Sequence, residues 1–163
     1  MRLLRPEPLT AEAFAIFGDV VDMAGGKPIT INQGFAKRFS DLAAVDVGMD
    51  GGSTNVSLAL ADPRPQPIAI RLMERHPLGS QIFHPLQERP WLVLVCGDVY
   101  DFASYRAFSA TGQQGVNYAR NVWHHPLLVF DAASRFLIVD RKGPGNNLEE
   151  VWFDENFAFS LLP

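Results

Sequence analysis

Apolar residues recur along this chain in short runs, and only one run has helical spacing. In Thr10-Ala11-Glu12-Ala13-Phe14-Ala15-Ile16-Phe17-Gly18, the two Phe residues stand three apart, which puts them on one face of a helix. Thr10 suits the N-cap, Glu12 suits the positive N-terminal end, and Gly18 is expected to close the helix in a left-handed conformation. No second helix is predicted. Strands are expected over 19–22, 55–61, 68–76, 81–86, 91–96, 105–109, 116–118, 126–130, 136–140 and 151–153, separated by Gly, Pro, Asp and Asn. Many short strands at such spacing predict an antiparallel sandwich or barrel. The run Trp91-Leu92-Val93-Leu94-Val95-Cys96 is apolar at every position and is expected to be buried on both faces. The runs 127–130 and 136–139 read the same way, with 131–134 between them suited to a hairpin connection. No repeat, low-complexity segment or long linker divides the chain, so residues 1–163 are expected to form one domain.

Strand alternation gives the run 68–76 a second meaning. Ile68, Ile70, Leu72, Glu74 and His76 would share one face, apolar at its start and ending in a carboxylate and an imidazole. A barrel interior with a packed floor and a polar mouth has this pattern. Gln81 follows across an expected turn at 77–79, and its amide can return to the same mouth. His84 alternates away from Gln81, toward the surface or the rim. A second dense stretch, Gly115-Val116-Asn117-Tyr118-Ala119-Arg120-Asn121-Val122-Trp123-His124-His125-Pro126-Leu127, holds two adjacent histidines. Imidazole is suited to proton transfer near neutral pH and to binding transition metals. In an extended segment His124 and His125 point to opposite faces, and the pattern leaves open which one enters the mouth. Arg38, Arg75, Arg120 and Arg141 are candidates to hold an anion by a bidentate fork. Asn117 and Tyr118 can add hydrogen bonds to a small polar substrate. The Trp residues at 91 and 152 read as core or interface aromatics.

Composition narrows the classes. Apolar residues make up 47% of the chain and charged residues 20%, a globular mix. The net charge is −4 and no Lys/Arg cluster is present, which speaks against nucleic acid as a partner. No apolar run approaches the ~18–20 residues of a membrane span. The single cysteine, Cys96, excludes an internal disulfide and reads as a buried thiol. A cytoplasmic protein without a secretory signal is expected. There is no P-loop, dinucleotide fingerprint, Cys-x-x-Cys or Gly-x-Ser-x-Gly elbow.

The blocks Glu74-Arg75-His76-Pro77-Leu78-Gly79-Ser80-Gln81 and Asn121-Val122-Trp123-His124-His125-Pro126-Leu127, in this order, resemble the ureidoglycolate lyase family. Shorter matching pieces are Phe17-Gly18-Asp19-Val20, Ile31-Asn32-Gln33-Gly34, Arg38-Phe39, Val116-Asn117-Tyr118, Arg120 and Asp140-Arg141. The resemblance implies a cupin-like antiparallel β-barrel or jelly roll with a short N-terminal helix, usually a homodimer. It implies cleavage of (S)-ureidoglycolate to glyoxylate and urea in allantoin degradation, with a divalent metal, nickel, as the associated ion. Other cupins bind metal through His-x-His, then Glu, then a later His. Here those places fall on Glu74, His76, Gln81 and His124 or His125. On this reading His76 and His124 are the acid/base pair and Glu74 a ligand or an orienting group. Arg75, Gln81, Asn117, Tyr118, Arg120 and His125 are candidates to contact the substrate. An amidohydrolase releasing ammonia, and a non-catalytic cupin binding a small anion, are the competing readings.

Overall fold

In the computed structural model, which describes residues 2–163, strand Trp91–Cys96 runs through the middle of the molecule and is buried along its whole length. Successive side chains of a strand face opposite ways. Trp91, Val93 and Val95 therefore enter one apolar cluster, while Leu92, Leu94 and Cys96 enter another. The first cluster also takes Phe83, Val116, Tyr118 and Phe136 from a second sheet. The other takes Ile68, Ile70, Phe159 and Leu161 from a third.

The central sheet has seven strands. Its order is Glu149–Trp152, Leu72–Arg75, Trp123–His124, Trp91–Cys96, Tyr105–Ala110 and Glu7–Pro8, with Leu128–Val129 also paired to Trp91–Cys96. The five-stranded sheet runs Gly18–Val21, Gly115–Tyr118, Gln81–Pro85, Ser134–Lys142 and Ser53–Ala61. Nearly all pairings are antiparallel. This is the mainly β, antiparallel architecture expected from the periodicity and the cupin-like one that the resemblance implies, built as facing sheets rather than one closed ring. Strand Trp91–Cys96 has the predicted bounds.

The helix is shorter than its apolar spacing suggests. It spans Ala11–Phe14, with Thr10 Oγ1 accepting from the Ala13 N–H at 3.1 Å. Phe14 and Phe17 are both buried, as expected. Gly18 does not cap this helix, because the chain leaves it at Ala15. Gly18 instead opens the next strand at φ +148°, packed so closely that an added Cβ would lie 1.8 Å from the Asn117 carbonyl oxygen.

Two other expectations are corrected. The run 68–76 is not one strand: Ile68–Ile70 belongs to the three-stranded sheet and Leu72–Arg75 to the central one. The break at Arg71, whose carbonyl accepts from the Phe153 N–H, shifts the phase by one residue. Met73, not Leu72, thus joins Ile68 and Ile70 in the same core. The segment 131–134 is not a hairpin turn either. Leu128–Val129 pairs with Trp91–Cys96, whereas Ser134–Lys142 pairs with Ser53–Ala61 and Gln81–Pro85, so the chain crosses between sheets there. The pairing of Pro28–Ile31 with Ala36–Phe39 has no counterpart in the predicted strands, because most of its residues are exposed and none is buried in a core.

Gly18→Ala is expected to lower unfolding free energy by about 3 kcal/mol, measured by urea denaturation, since both the φ and the contact with Asn117 reject a Cβ.

Candidate functional site

Strand Leu72–Arg75 supplies Glu74, and the turn that follows supplies His76. Strand Trp123–His124 lies beside it, with His124 directly opposite Glu74 in the ladder. The ligating atoms of Glu74, His76 and His124 all lie within 4.8 Å of one another. His124 Nε2 is 3.3 Å from Glu74 Oε1 and His76 Nε2 is 3.9 Å from it. The two imidazole centroids are 5.2 Å apart.

Hydrogen bonding fixes what these atoms offer. His76 Nδ1 lies 2.7 Å from the Asn147 carbonyl oxygen, and His124 Nδ1 lies 3.0 Å from that of Val122. A carbonyl only accepts, so both Nδ1 atoms carry the proton and both Nε2 atoms present lone pairs when the rings are neutral. Each Nε2 is buried without a hydrogen-bond partner. So is Oε1 of Gln81, whose amide N–H is spent on Asp140 Oδ2 at 3.1 Å. The two Nε2 atoms thus face the Glu74 carboxylate with no donor between them when the rings are neutral, an arrangement that calls for a proton or a cation.

The electrostatics agree. Burial alone would raise the Glu74 pKa, but contact with His124 and the nearby His76 and His125 hold it below the usual carboxylate value. Burial and the neighbouring His124 push the pKa of His76 down, so this ring favours its neutral form. Tyr118 stacks on His124 with centroids 4.1 Å apart and planes 10° from parallel, and burial drives its phenol well above the ordinary pKa.

Of the adjacent histidines, His124 joins the cluster. His125 is not one of its members; it is buried, with Nδ1 2.8 Å from the Pro126 carbonyl oxygen. Three of the four arginines singled out in the sequence are engaged elsewhere. Arg75 pairs with Glu149 and lies 4.5 Å over the Trp123 ring. Arg120 Nε stands 3.4 Å from Asp46 Oδ2. Arg141 is buried and donates to the carbonyls of Met49, Asp50 and Pro144. Arg38 belongs to the exposed hairpin. Asn117 donates to Asp19 and the Ala44 carbonyl, tying down a loop rather than turning to the cluster. His84 lines a separate cavity of about 420 Å³ with Asp22 and Gln114.

Asn147 is a residue that sequence reasoning missed. Its carbonyl orients His76 while its Oδ1 accepts from the Leu78 N–H at 2.8 Å, so one residue clamps both sides of the turn. The only signal was its place in a Gly-Pro-Gly-Asn-Asn loop.

Comparison with known proteins places this geometry in context. A profile described as ureidoglycolate lyase matches residues 1–160. The chain is 51% identical over 157 residues to ureidoglycolate lyase 1 of Rhizobium meliloti (strain 1021), covering 96% of this chain and 92% of that protein. It is 50% identical to a ureidoglycolate lyase of Burkholderia cepacia (99% and 92% covered) and 46% identical to one of Pseudomonas syringae pv. tomato (100% and 97% covered).

His125 generates a prediction about stability. Burial is the largest cause pushing its pKa down from 6.5, to about 4. The unfolded chain therefore takes up this proton more readily than the native one. Stability is complete above pH 6.5, falls between pH 6.5 and about 4, and loses no more from this group below that. The loss is on the order of 3 kcal/mol. Denaturation at a series of pH values should show it, and His125→Asn should remove that part of the slope.

Proposed function

The chain belongs to the ureidoglycolate lyase family, and from that premise we propose that it cleaves (S)-ureidoglycolate to glyoxylate and urea in allantoin degradation. The observation that carries the mechanism is the convergence of Glu74, His76 and His124 with both Nε2 atoms free. Ureidoglycolate is a carbinolamide, so breaking its C–N bond needs one proton removed from the hydroxyl and one delivered to the departing nitrogen. His76 is the base: its depressed pKa keeps Nε2 unprotonated and able to accept the hydroxyl proton. The O–H electrons become the carbonyl bond of glyoxylate as the C–N pair leaves with urea. His124, beside the ionised Glu74, holds the proton that this nitrogen takes. Glu74 Oε1 stands near both Nε2 atoms, so the proton can pass back from His76 to His124 for the next turnover.

The same donor set fits a divalent cation. Glu74, His76 and His124 would hold it, with Gln81 Oε1 as a fourth donor, and two imidazoles with two oxygens suit nickel and its neighbours. When bound, such an ion would polarise the substrate hydroxyl and lower its pKa. A given Nε2 serves as ligand or as proton carrier, not both at once, so a chelator separates the two modes.

The enzyme acts as a homodimer in the cytoplasm. Val56, Leu58 and Leu60 form an apolar stripe on the edge strand Ser53–Ala61, each about two-thirds exposed, and Phe35 is 92% exposed on the detached hairpin. A second copy covering these surfaces explains them better than water does. The lone thiol of Cys96 is buried, and burial pushes its pKa up to about 12.

Purified protein should release urea and glyoxylate in equal amounts, above the spontaneous decay of the substrate, and no ammonia. Ammonia in place of urea would overturn the lyase assignment. His76→Ala and His124→Ala should each lower turnover by about 10²- to 10⁴-fold. If the residues act as ligands, chelation should bring wild type down to that level, and added nickel should restore it. Leu58→Asp should convert the dimer to a monomer in light scattering; an unchanged mass would move the interface elsewhere.

A further inference from the structure

The reacting cluster contains an ionised carboxylate, and ureidoglycolate brings another. Like charges at close range repel strongly in a partly buried site, so the substrate's carboxylate needs a cation to draw it in. Of the arginines that the sequence suggested, Arg75, Arg120 and Arg141 are paired or buried elsewhere, and Arg38 lies on the exposed hairpin. Beside Glu74 lies a cavity of about 360 Å³, walled by Leu60, Phe83 and Leu127, with its charges supplied by Asp62, Arg64 and Glu74. The volume suits a small organic acid. Arg64 is the sole cation on this lining. No ion pair or side-chain hydrogen bond engages its guanidinium among the described residues. Its charge is also felt at buried His125, next to the cluster.

We infer that Arg64 captures the carboxylate of the substrate at the mouth of this cavity and so sets which end of the molecule enters first. The inference rests on the lyase reading above. A guanidinium matches a carboxylate with two parallel N–H bonds. Asp62 and Glu74 repel the carboxylate from the rest of the lining. The ureido end, rich in N–H donors, is then the end that meets the acceptors of Glu74, His76 and His124. Selectivity follows: a small 2-hydroxy acid with a neutral amide-like tail is taken, and its ester or amide is not distinguished by charge.

The test uses full-length Arg64→Gln and Arg64→Lys proteins. Steady-state kinetics with ureidoglycolate and with its neutral methyl ester are compared with calorimetric titration of glyoxylate. Arg64→Gln should raise KM for ureidoglycolate and Kd for glyoxylate by about 10- to 100-fold, with most of the loss in KM rather than kcat. Arg64→Lys should recover part of it. The neutral ester should be handled alike by wild type and Arg64→Gln. An unchanged urea-denaturation midpoint confirms that the variant is folded. Values of KM and Kd within twofold of wild type would overturn the assignment. If the wild type releases no urea, the lyase reading fails on its own, and the glyoxylate titration still decides whether Arg64 binds carboxylate.

Discussion

Glu74 and His124 sit directly opposite each other on neighbouring antiparallel strands, and this register creates the site. A slip of one residue would replace His124 by Trp123 or His125 and turn the imidazole to the other face. The Trp123–His124 segment is too short to choose its own register. It is held by Trp91–Cys96 on its far side, where Val95 pairs with His124 and Cys96 with Trp123. That strand in turn is anchored by two apolar cores, one on each face. The position of the His124 imidazole, the acid in the proposed mechanism, is thus a consequence of hydrophobic packing, because moving the strand by one residue would exchange the contents of both cores at once.

Much of this was legible in the alternation of apolar and polar residues. The uninterrupted run 91–96 announced a strand buried on both sides, and Glu74 and His76 announced a shared direction two residues apart. Spacing alone did not decide between His124 and His125, since both occupy an extended segment and the choice depends on a partner strand fifty residues away. The break at Arg71 was invisible for a related reason. Both halves of 68–76 are apolar enough to be strand, and only the existence of two separate sheets sends them apart. Asn147 escaped because its contribution is partly a main-chain carbonyl, which any residue carries. Arg64 stands in a Pro-flanked loop with no periodicity, and nothing local distinguishes it from an ordinary surface arginine.

The environment of the cluster explains why its ring nitrogens are left without partners. Buried acceptors without donors are costly, and a protein tolerates a few of them where they serve a purpose. Asn147 and Val122 occupy the Nδ1 side of each ring and thereby prevent the imidazoles from relieving that cost through a change of tautomer. The rings are left to resolve it with an added proton, an ion or the substrate itself.

Charge counting gives the replacement at Gln81 a physical sense. In the arrangement typical of metal-binding cupins, one carboxylate stands third among four ligands; here a carboxylate already stands first, as Glu74, and the third place is a neutral amide. With the proposed ligand set, the site keeps a single negative charge while changing its location. A second carboxylate at 81 would face Asp140, which already accepts from the Gln81 amide, and would add repulsion against an anionic substrate. The amide instead donates to Asp140 and turns its oxygen to the interior, adding an acceptor without adding charge. A lyase that must both gather acceptors around one proton or ion and admit a carboxylate is served by that exchange.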